Sequence, residues 1–188
     1  MAHQVHAFEP PERFVAGTVG PPGERTFFLQ ARGGGRLLSV ALEKVQVQLL
    51  AEKLDELLAE ANRRFGLELP TLAIAADNEP LDTPLDEEFR VGTLALAFDV
   101  DTSTVVIEAI AADEGEAEAV AEEEAEDDEE EADADRDRLR VRLTPQETRA
   151  FIERAKRVLA SGRPPCPLCG QPLDPKGHLC PRHNGYHR

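Results

Sequence analysis

The sequence predicts an α+β fold: an antiparallel sheet, made of a meander and a hairpin, packed by two helices. Three observations carry that expectation. Short runs rich in Val, Phe, Leu and Thr alternate with Pro and Gly turns over the first 42 residues, and such runs return between Phe89 and Leu143. Two longer segments repeat apolar side chains at the three-and-four spacing of a helix. Both of those segments carry start or stop signals at their ends.

The strand-like runs at the start are Gln4–Phe8, Arg13–Val19, Thr26–Arg32 and Arg36–Leu42. Glu9-Pro10-Pro11, Gly20-Pro21-Pro22-Gly23 and Gly33-Gly34-Gly35 separate them, the pattern of an antiparallel meander. The triple glycine does not read as a phosphate loop. A phosphate cradle needs a helix directly after it, whereas Leu37-Leu38-Ser39-Val40 continues as a strand, so the glycines form a hairpin turn.

Glu43–Phe65 is the clearest helix. Leu50, Leu54, Leu57, Leu58, Ala61 and Phe65 fall on one face, with Glu52, Asp55, Glu56 and Glu60 outward. Arg63 and Arg64 suit the negative end of its dipole, and Gly66 stops it. Leu67–Glu88 is a proline-punctuated loop in which Thr71–Ala75 reads as a short strand. Phe89–Val100 and Val105–Ala111, joined by Asp101-Thr102-Ser103-Thr104, form a β-hairpin. Asp99 and Asp101 beside that turn are expected to cap backbone groups rather than hold a metal.

Residues 113–135 hold fifteen Asp or Glu and no Lys or Arg, so they read as a disordered acidic insert extruded between strands. Leu139-Arg140-Val141-Arg142-Leu143 then resumes strand alternation. Thr144-Pro145-Gln146-Glu147 starts the second helix as N-cap, first-turn proline and capping-box glutamate. That helix is expected to run to about Ala160, burying Phe151, Ile152, Ala155, Val158 and Leu159 while Arg149, Arg154, Lys156 and Arg157 stay wet. The domain division that follows is a body over residues 1–112, the insert over 113–135, the body's last strand and helix over 136–161, and a separate tail over 162–188.

The tail carries the sharpest chemical signal. Cys166-Pro167-Leu168-Cys169-Gly170 and Cys180-Pro181-Arg182-His183-Asn184-Gly185 are two similar half-motifs, each a tight turn presenting two ligands from one side. Thiolates with imidazole in a closed tetrahedral set select zinc and mark a structural site, a zinc ribbon. Cys166, Cys169 and Cys180 supply three ligands. His183 completes the repeated two-residue spacing and is the preferred fourth; His178 is the alternative, and His187 stands further out. Thioredoxin-like redox chemistry would need a strand–motif–helix setting, and an iron–sulfur cluster usually takes four thiolates.

Gly162-Arg163-Pro164-Pro165-Cys166-Pro167-Leu168-Cys169-Gly170, Pro172-Leu173-Asp174-Pro175, Gly177-His178, Cys180-Pro181-Arg182 and Asn184-Gly185-Tyr186 resemble the tail of an actinobacterial family known only as a domain of unknown function, DUF3090. Phe8-Glu9-Pro10-Pro11-Glu12-Arg13-Phe14-Val15-Ala16-Gly17-Thr18-Val19-Gly20 resembles that family's start, so the likeness spans the chain. The resemblance implies a bacterial cytosolic protein and implies no activity.

Composition narrows the function classes. No run reaches the ~18 apolar residues of a membrane helix, and no secretion signal is visible, so the expected location is the cytoplasm. An odd set of three cysteines there points to metal rather than disulfides. Outside the tail the only histidines are His3 and His6, and all three serines lie in unremarkable contexts, which points away from catalysis. The leading expectation is a non-enzymatic binding or adaptor protein with an unidentified protein partner. The alternative is nucleic-acid binding: residues 136–188 hold twelve basic and four acidic side chains, among them Arg136, Arg138, Arg140, Arg142, Arg154, Lys156 and Arg157. Against it stand the missing interleaved aromatics and the tethered acidic insert. An enzyme of unidentified class ranks third.

Overall fold

The structure, a computed structural model, describes residues 3–67, 75–113, 135–173, 177–178, 180 and 182. The elements in chain order are β1 (Val5–Phe8), β2 (Arg13–Val19), β3 (Thr26–Gly33), β4 (Arg36–Leu42), α1 (Lys44–Phe65), β5 (Glu87–Asp99), β6 (Thr104–Ala111), β7 (Arg138–Leu143) and α2 (Pro145–Ala160). The seven strands form a single sheet in the order β1-β7-β6-β5-β4-β3-β2. Residues 71–74 of the expected strand Thr71–Ala75 and nearly all of the acidic insert, residues 114–134, lie outside the described residues, and Ala75 itself is not in a strand.

The α+β class holds, but the sheet is mixed rather than antiparallel. β2, β3 and β4 are the antiparallel meander, and β5 and β6 the hairpin, with β7 antiparallel to β6. Two pairings are parallel: β4 with β5, and β1 with β7. The first follows from connectivity, because a helix between two strands returns the chain to the end it left, and α1 sits between β4 and β5. The second follows from β1 leaving the meander. Glu9-Pro10-Pro11-Glu12 carries the chain from β1 on one edge to β2 on the other.

That short linker forces the sheet to curl. Six strand spacings of about 4.8 Å would separate the two edges by about 29 Å in a flat sheet. The five Cα steps from Phe8 to Arg13 reach at most about 18 Å. The end of β1 accordingly lies against the β3–β4 hairpin, where Arg36 Nη2 donates to the Ala7 carbonyl at 2.7 Å and its guanidinium covers the Phe8 ring at 4.7 Å. Gly34 and Gly35 make that hairpin's two-residue turn at φ 57° and 73°, a left-handed geometry that suits glycine and the twist of the strands.

The curled sheet and both helices share one core. Phe27, Leu29 and Ala31 of β3, Val47, Leu50 and Leu54 of α1, Ile107 of β6, Val141 of β7 and Phe151 of α2 all belong to it. α1 starts with the Gln46 side chain accepting the Glu43 N–H at 2.8 Å and ends at Gly66, φ 60°, as its punctuation predicts. Phe65 departs from expectation. It is 48% exposed and stacks on Phe98 at 5.9 Å rather than entering the core. α2 has the expected capping box, with Thr144 N–H on Glu147 Oε2 at 2.8 Å and Glu147 N–H on Thr144 Oγ1 at 3.2 Å. Its residues Phe151, Ile152 and Ala155 are buried, while Val158 and Leu159 are half-buried against the core.

Arg154 is the clear reversal, buried at 7% exposure instead of wet. It works with the segment 75–86, which crosses the outer side of β2 and β3. Arg154 Nε donates to the Ala16 carbonyl at 2.9 Å, and its terminal nitrogens reach the Asp77 and Glu79 carbonyls at 2.7 and 2.8 Å. Arg13 grips the same segment through Asp77 at 2.7 Å and Asp82 at 3.1 Å. Gln30, 1% exposed, accepts the Asp82 N–H at 2.7 Å and donates to the Asp82 carbonyl at 3.0 Å. The outer face of β2 and β3 is thereby covered, and one carbonyl of edge strand β2, that of Ala16, is taken up by Arg154. The pattern of α2 held a signal for this: residues 147, 151, 154 and 158 lie on one helical stripe, so Arg154 borders the buried face.

Gly17 of β2 shows how closely that segment is seated. A Cβ at Gly17 would stand 2.6 Å from Cγ and Cδ2 of Leu81. Gly17→Val should therefore displace Leu81 and cost about 1–3 kcal/mol in a denaturant titration. Adding Leu81→Ala to that variant should cost less than the two changes apart sum to, because the clash is shared.

Candidate metal centre

The chain leaves α2 through Ser161, whose N–H returns to the Arg157 carbonyl at 3.0 Å, and passes along Arg163-Pro164-Pro165. Proline twice in succession stiffens this link. A small hairpin follows. Pro165 and Pro172 bridge across it, Leu173 N–H bonds the Pro164 carbonyl at 2.8 Å, and Cys166 N–H bonds the Gln171 carbonyl at 2.7 Å. At its tip Gly170, φ 74°, returns its N–H to the Cys166 carbonyl at 2.8 Å. Only a residue at ease with left-handed backbone closes so tight a turn, which places glycine directly after Cys169.

This turn directs the Cys169 and Leu168 amides at the Cys166 sulfur, and those hydrogen bonds lower the Cys166 thiol to about 6. Cys169 moves the other way. The Gln171 amide holds it down, but burial and the hydrogen bonds shared with Cys166 and Cys180 outweigh that and push it up. The first half-motif thus presents one thiol ready to ionise and a second that a cation would have to ionise.

Four donors meet here. Cys166, Cys169, His178 and Cys180 place one ligand atom each within 4.8 Å of every other. Cys166 Sγ lies 3.9 Å from Cys180 Sγ, and Cys169 Sγ lies 3.1 Å from His178 Nε2. The cysteines are free thiols, and 3.9 Å is far beyond a disulfide bond. A tetrahedral ion with metal–sulfur bonds of about 2.3 Å has donor–donor edges of about 3.8 Å, so the spacing and the donor types both fit a metal ion. Cys166 and Cys180 are buried, at 5% and 7% exposure. The preferred fourth ligand of the sequence reading, His183, lies outside the described residues, as does His187. The structure brings the alternative, His178, to the three sulfurs.

In the metal-free protein the thiolate ultraviolet absorbance should rise in separate steps. The first midpoint should lie near pH 6 and should vanish in Cys166→Ser, because that sulfur alone receives the paired amides.

The residues considered for nucleic acid are placed differently. Arg136 pairs with Asp113, Arg138 with Glu108 at 3.6 Å, and Arg140 with the same Glu108. Arg142 meets Asp99 at 2.6 Å, Arg154 meets Asp77 at 2.7 Å, and Lys156 meets Asp55 at 2.8 Å. Arg157 donates to the Asp77 carbonyl at 3.2 Å. Asp99 also caps its turn by accepting the Thr102 N–H at 3.1 Å, and the Arg142 guanidinium holds its carboxyl below the usual carboxylate range. Asp99 therefore serves the turn and an ion pair, as the turn chemistry implied.

Compared with known proteins, the chain matches a family model described as "Protein of unknown function (DUF3090)" over residues 6–180, a span that includes all four clustered donors. No curated protein and no solved structure matches it.

Proposed function

Because the chain belongs to the DUF3090 family, whose description assigns no activity, we propose from its site alone that it is a non-enzymatic binding or adaptor protein whose C-terminal segment is a structural zinc ribbon. The observation that carries this is the convergence of three thiols and an imidazole within 4.8 Å. With four protein donors the coordination sphere is complete, and no position is left for substrate or an activated water. Bound there, zinc would supply charge to hold the thiolates together and folding energy to a segment with little core of its own. The reading assigns the C-terminal face to a protein partner rather than to nucleic acid, since the cations named for phosphate already have acidic or carbonyl partners within the chain.

Free thiols used as metal ligands suit a reducing compartment, and with the family resemblance this supports a cytosolic protein of actinobacteria. Among the described residues no helix is long and apolar enough to cross a membrane.

Metal analysis of the purified protein tests the site. About one zinc per chain is expected; no bound metal, or an iron chromophore, would refute it. The fourth ligand is tested separately. His178→Ala should weaken zinc binding, and His183→Ala should leave it near wild type, because His178 Nε2 is already 3.1 Å from Cys169 Sγ. The reverse order would hand the role to His183.

A further inference from the structure

A second site of different chemistry lies where the body meets the ribbon segment. A cleft of about 320 Å³ opens between the β2–β3 turn, the start of α1, the end of α2 and the hairpin that carries Cys166 and Cys169. Three cations line it, namely Arg25, Lys44 and Arg163, and among the described residues no carboxylate does. Its remaining wall is largely apolar, with Phe27, Leu159 and Pro172.

Arg25 is held in place before any ligand arrives. Its two terminal nitrogens donate to Ser161 Oγ at 3.1 Å and to the Ser161 carbonyl at 2.6 Å, at the end of α2. Its Nε is buried and, among the described residues, has no hydrogen-bond partner. Lys44 is the first residue of α1, at the positive end of the helix dipole, where the Glu43 side chain caps the Gln46 amide. Among the described residues its ammonium makes no ion pair. Arg163 packs over Gly23, where an added Cβ would meet Arg163 Nε at 3.3 Å, so the absence of a side chain at Gly23 seats the third cation.

We propose that this cleft binds a small phosphomonoester, its phosphate held by Arg25 and Lys44 and its organic part resting on Phe27, Leu159 and Pro172. A multiply charged oxyanion with several acceptor atoms matches a preset guanidinium and an ammonium at a helix start. The volume sits at the small end of ligand pockets, roughly 300–1,000 Å³, larger than a bare phosphate needs and suited to a sugar-sized body. The site is independent of which ion the cysteines hold.

The test is calorimetric titration of the full chain, as purified with its metal, against ribose 5-phosphate, inorganic phosphate and ribose at low ionic strength. Ribose 5-phosphate should bind, ribose should not, and binding should weaken as salt screens the charges. Lys44→Gln, at an exposed position, should weaken the ester by about tenfold, the loss of one charge-assisted hydrogen bond. Arg25→Lys, which keeps the charge but loses the planar fork that Ser161 holds in place, should weaken it as well. Inorganic phosphate binding as tightly as the ester would support the cationic site with the free ion as its ligand. No binding of either phosphate, or Lys44→Gln binding as tightly as wild type, would overturn the proposal.

Discussion

Cys169→Ser should strip the metal from the protein and unfold the C-terminal segment while leaving the body's sheet and helices intact. The serine hydroxyl does not ionise near neutral pH and is a poor ligand for a soft cation, so the closed set loses a member. Binding of a structural zinc is worth about 10 kcal/mol of folding free energy to a small segment, at the low end of the range for such sites. Here that energy is local, because the ligands span only Cys166 to Cys180. Metal content should fall from about one ion per chain to none, and proteolysis should begin after Gly162. The body's far-ultraviolet dichroism and thermal midpoint should stay near wild type. A variant that keeps its zinc would show that Cys169 is not a ligand, and a collapse of the body would show that the ribbon holds it together.

Arg154→Met should produce the largest loss of stability in the body. The side chain is 9% exposed, and its removal takes a donor from three carbonyls, those of Ala16, Asp77 and Glu79, and from one oxygen of the Asp77 carboxylate. Losing several hydrogen bonds from one buried cation costs about 3–5 kcal/mol. At a few degrees per kcal/mol for a domain of this size, the midpoint should fall by about 10 °C. Arg149→Met, on the exposed side of the same helix, should change stability by no more than about 0.5 kcal/mol. The pH dependence has a definite sign. The Arg13 hydrogen bond, with help from Arg154, holds the Asp77 carboxyl below its ordinary value. Its contribution is therefore complete above about pH 4, where the unfolded carboxyl is also ionised, and it fades as the pH falls through the lowered folded value. The gap between wild type and Arg154→Met should be full at neutral pH and narrow in strong acid. A constant gap would mean that the carbonyl contacts, not the ion pair, dominate.

These two predictions sit at opposite ends of what the residue order discloses. The cysteine cluster was legible because its determinants are close in sequence: two cysteines flanking a turn, a glycine to close it, and a third cysteine within reach. Even there two histidines compete for the fourth place. Two-residue spacing favours His183, which lies outside the described residues, while His178 Nε2 stands 3.1 Å from Cys169 Sγ. Arg154 was misread for a tertiary reason. A helix repeat marks it as bordering the buried face, but arginine is buried only when enough acceptors meet it. Its acceptors come from Ala16 and from residues 77–79, more than seventy positions away.

The sequence by itself determined the punctuation of this protein: both helices, the Gly66 stop of α1 and the Thr144 capping box of α2, the β2–β3–β4 meander, the β5–β6 hairpin, and the grouping of the cysteines. Each rests on interactions among neighbours in the chain, where a cap, a turn glycine or a repeat acts without help from elsewhere. The tertiary structure alone decided the parallel pairings of β1 with β7 and β4 with β5, the curl that a four-residue linker imposes on a seven-stranded sheet, and the burial of Arg154. Strand partners hydrogen-bond through backbone groups that every residue carries, so side-chain identity hardly encodes which strand lies beside which. That choice is made by burying one shared core under the limits of chain connectivity.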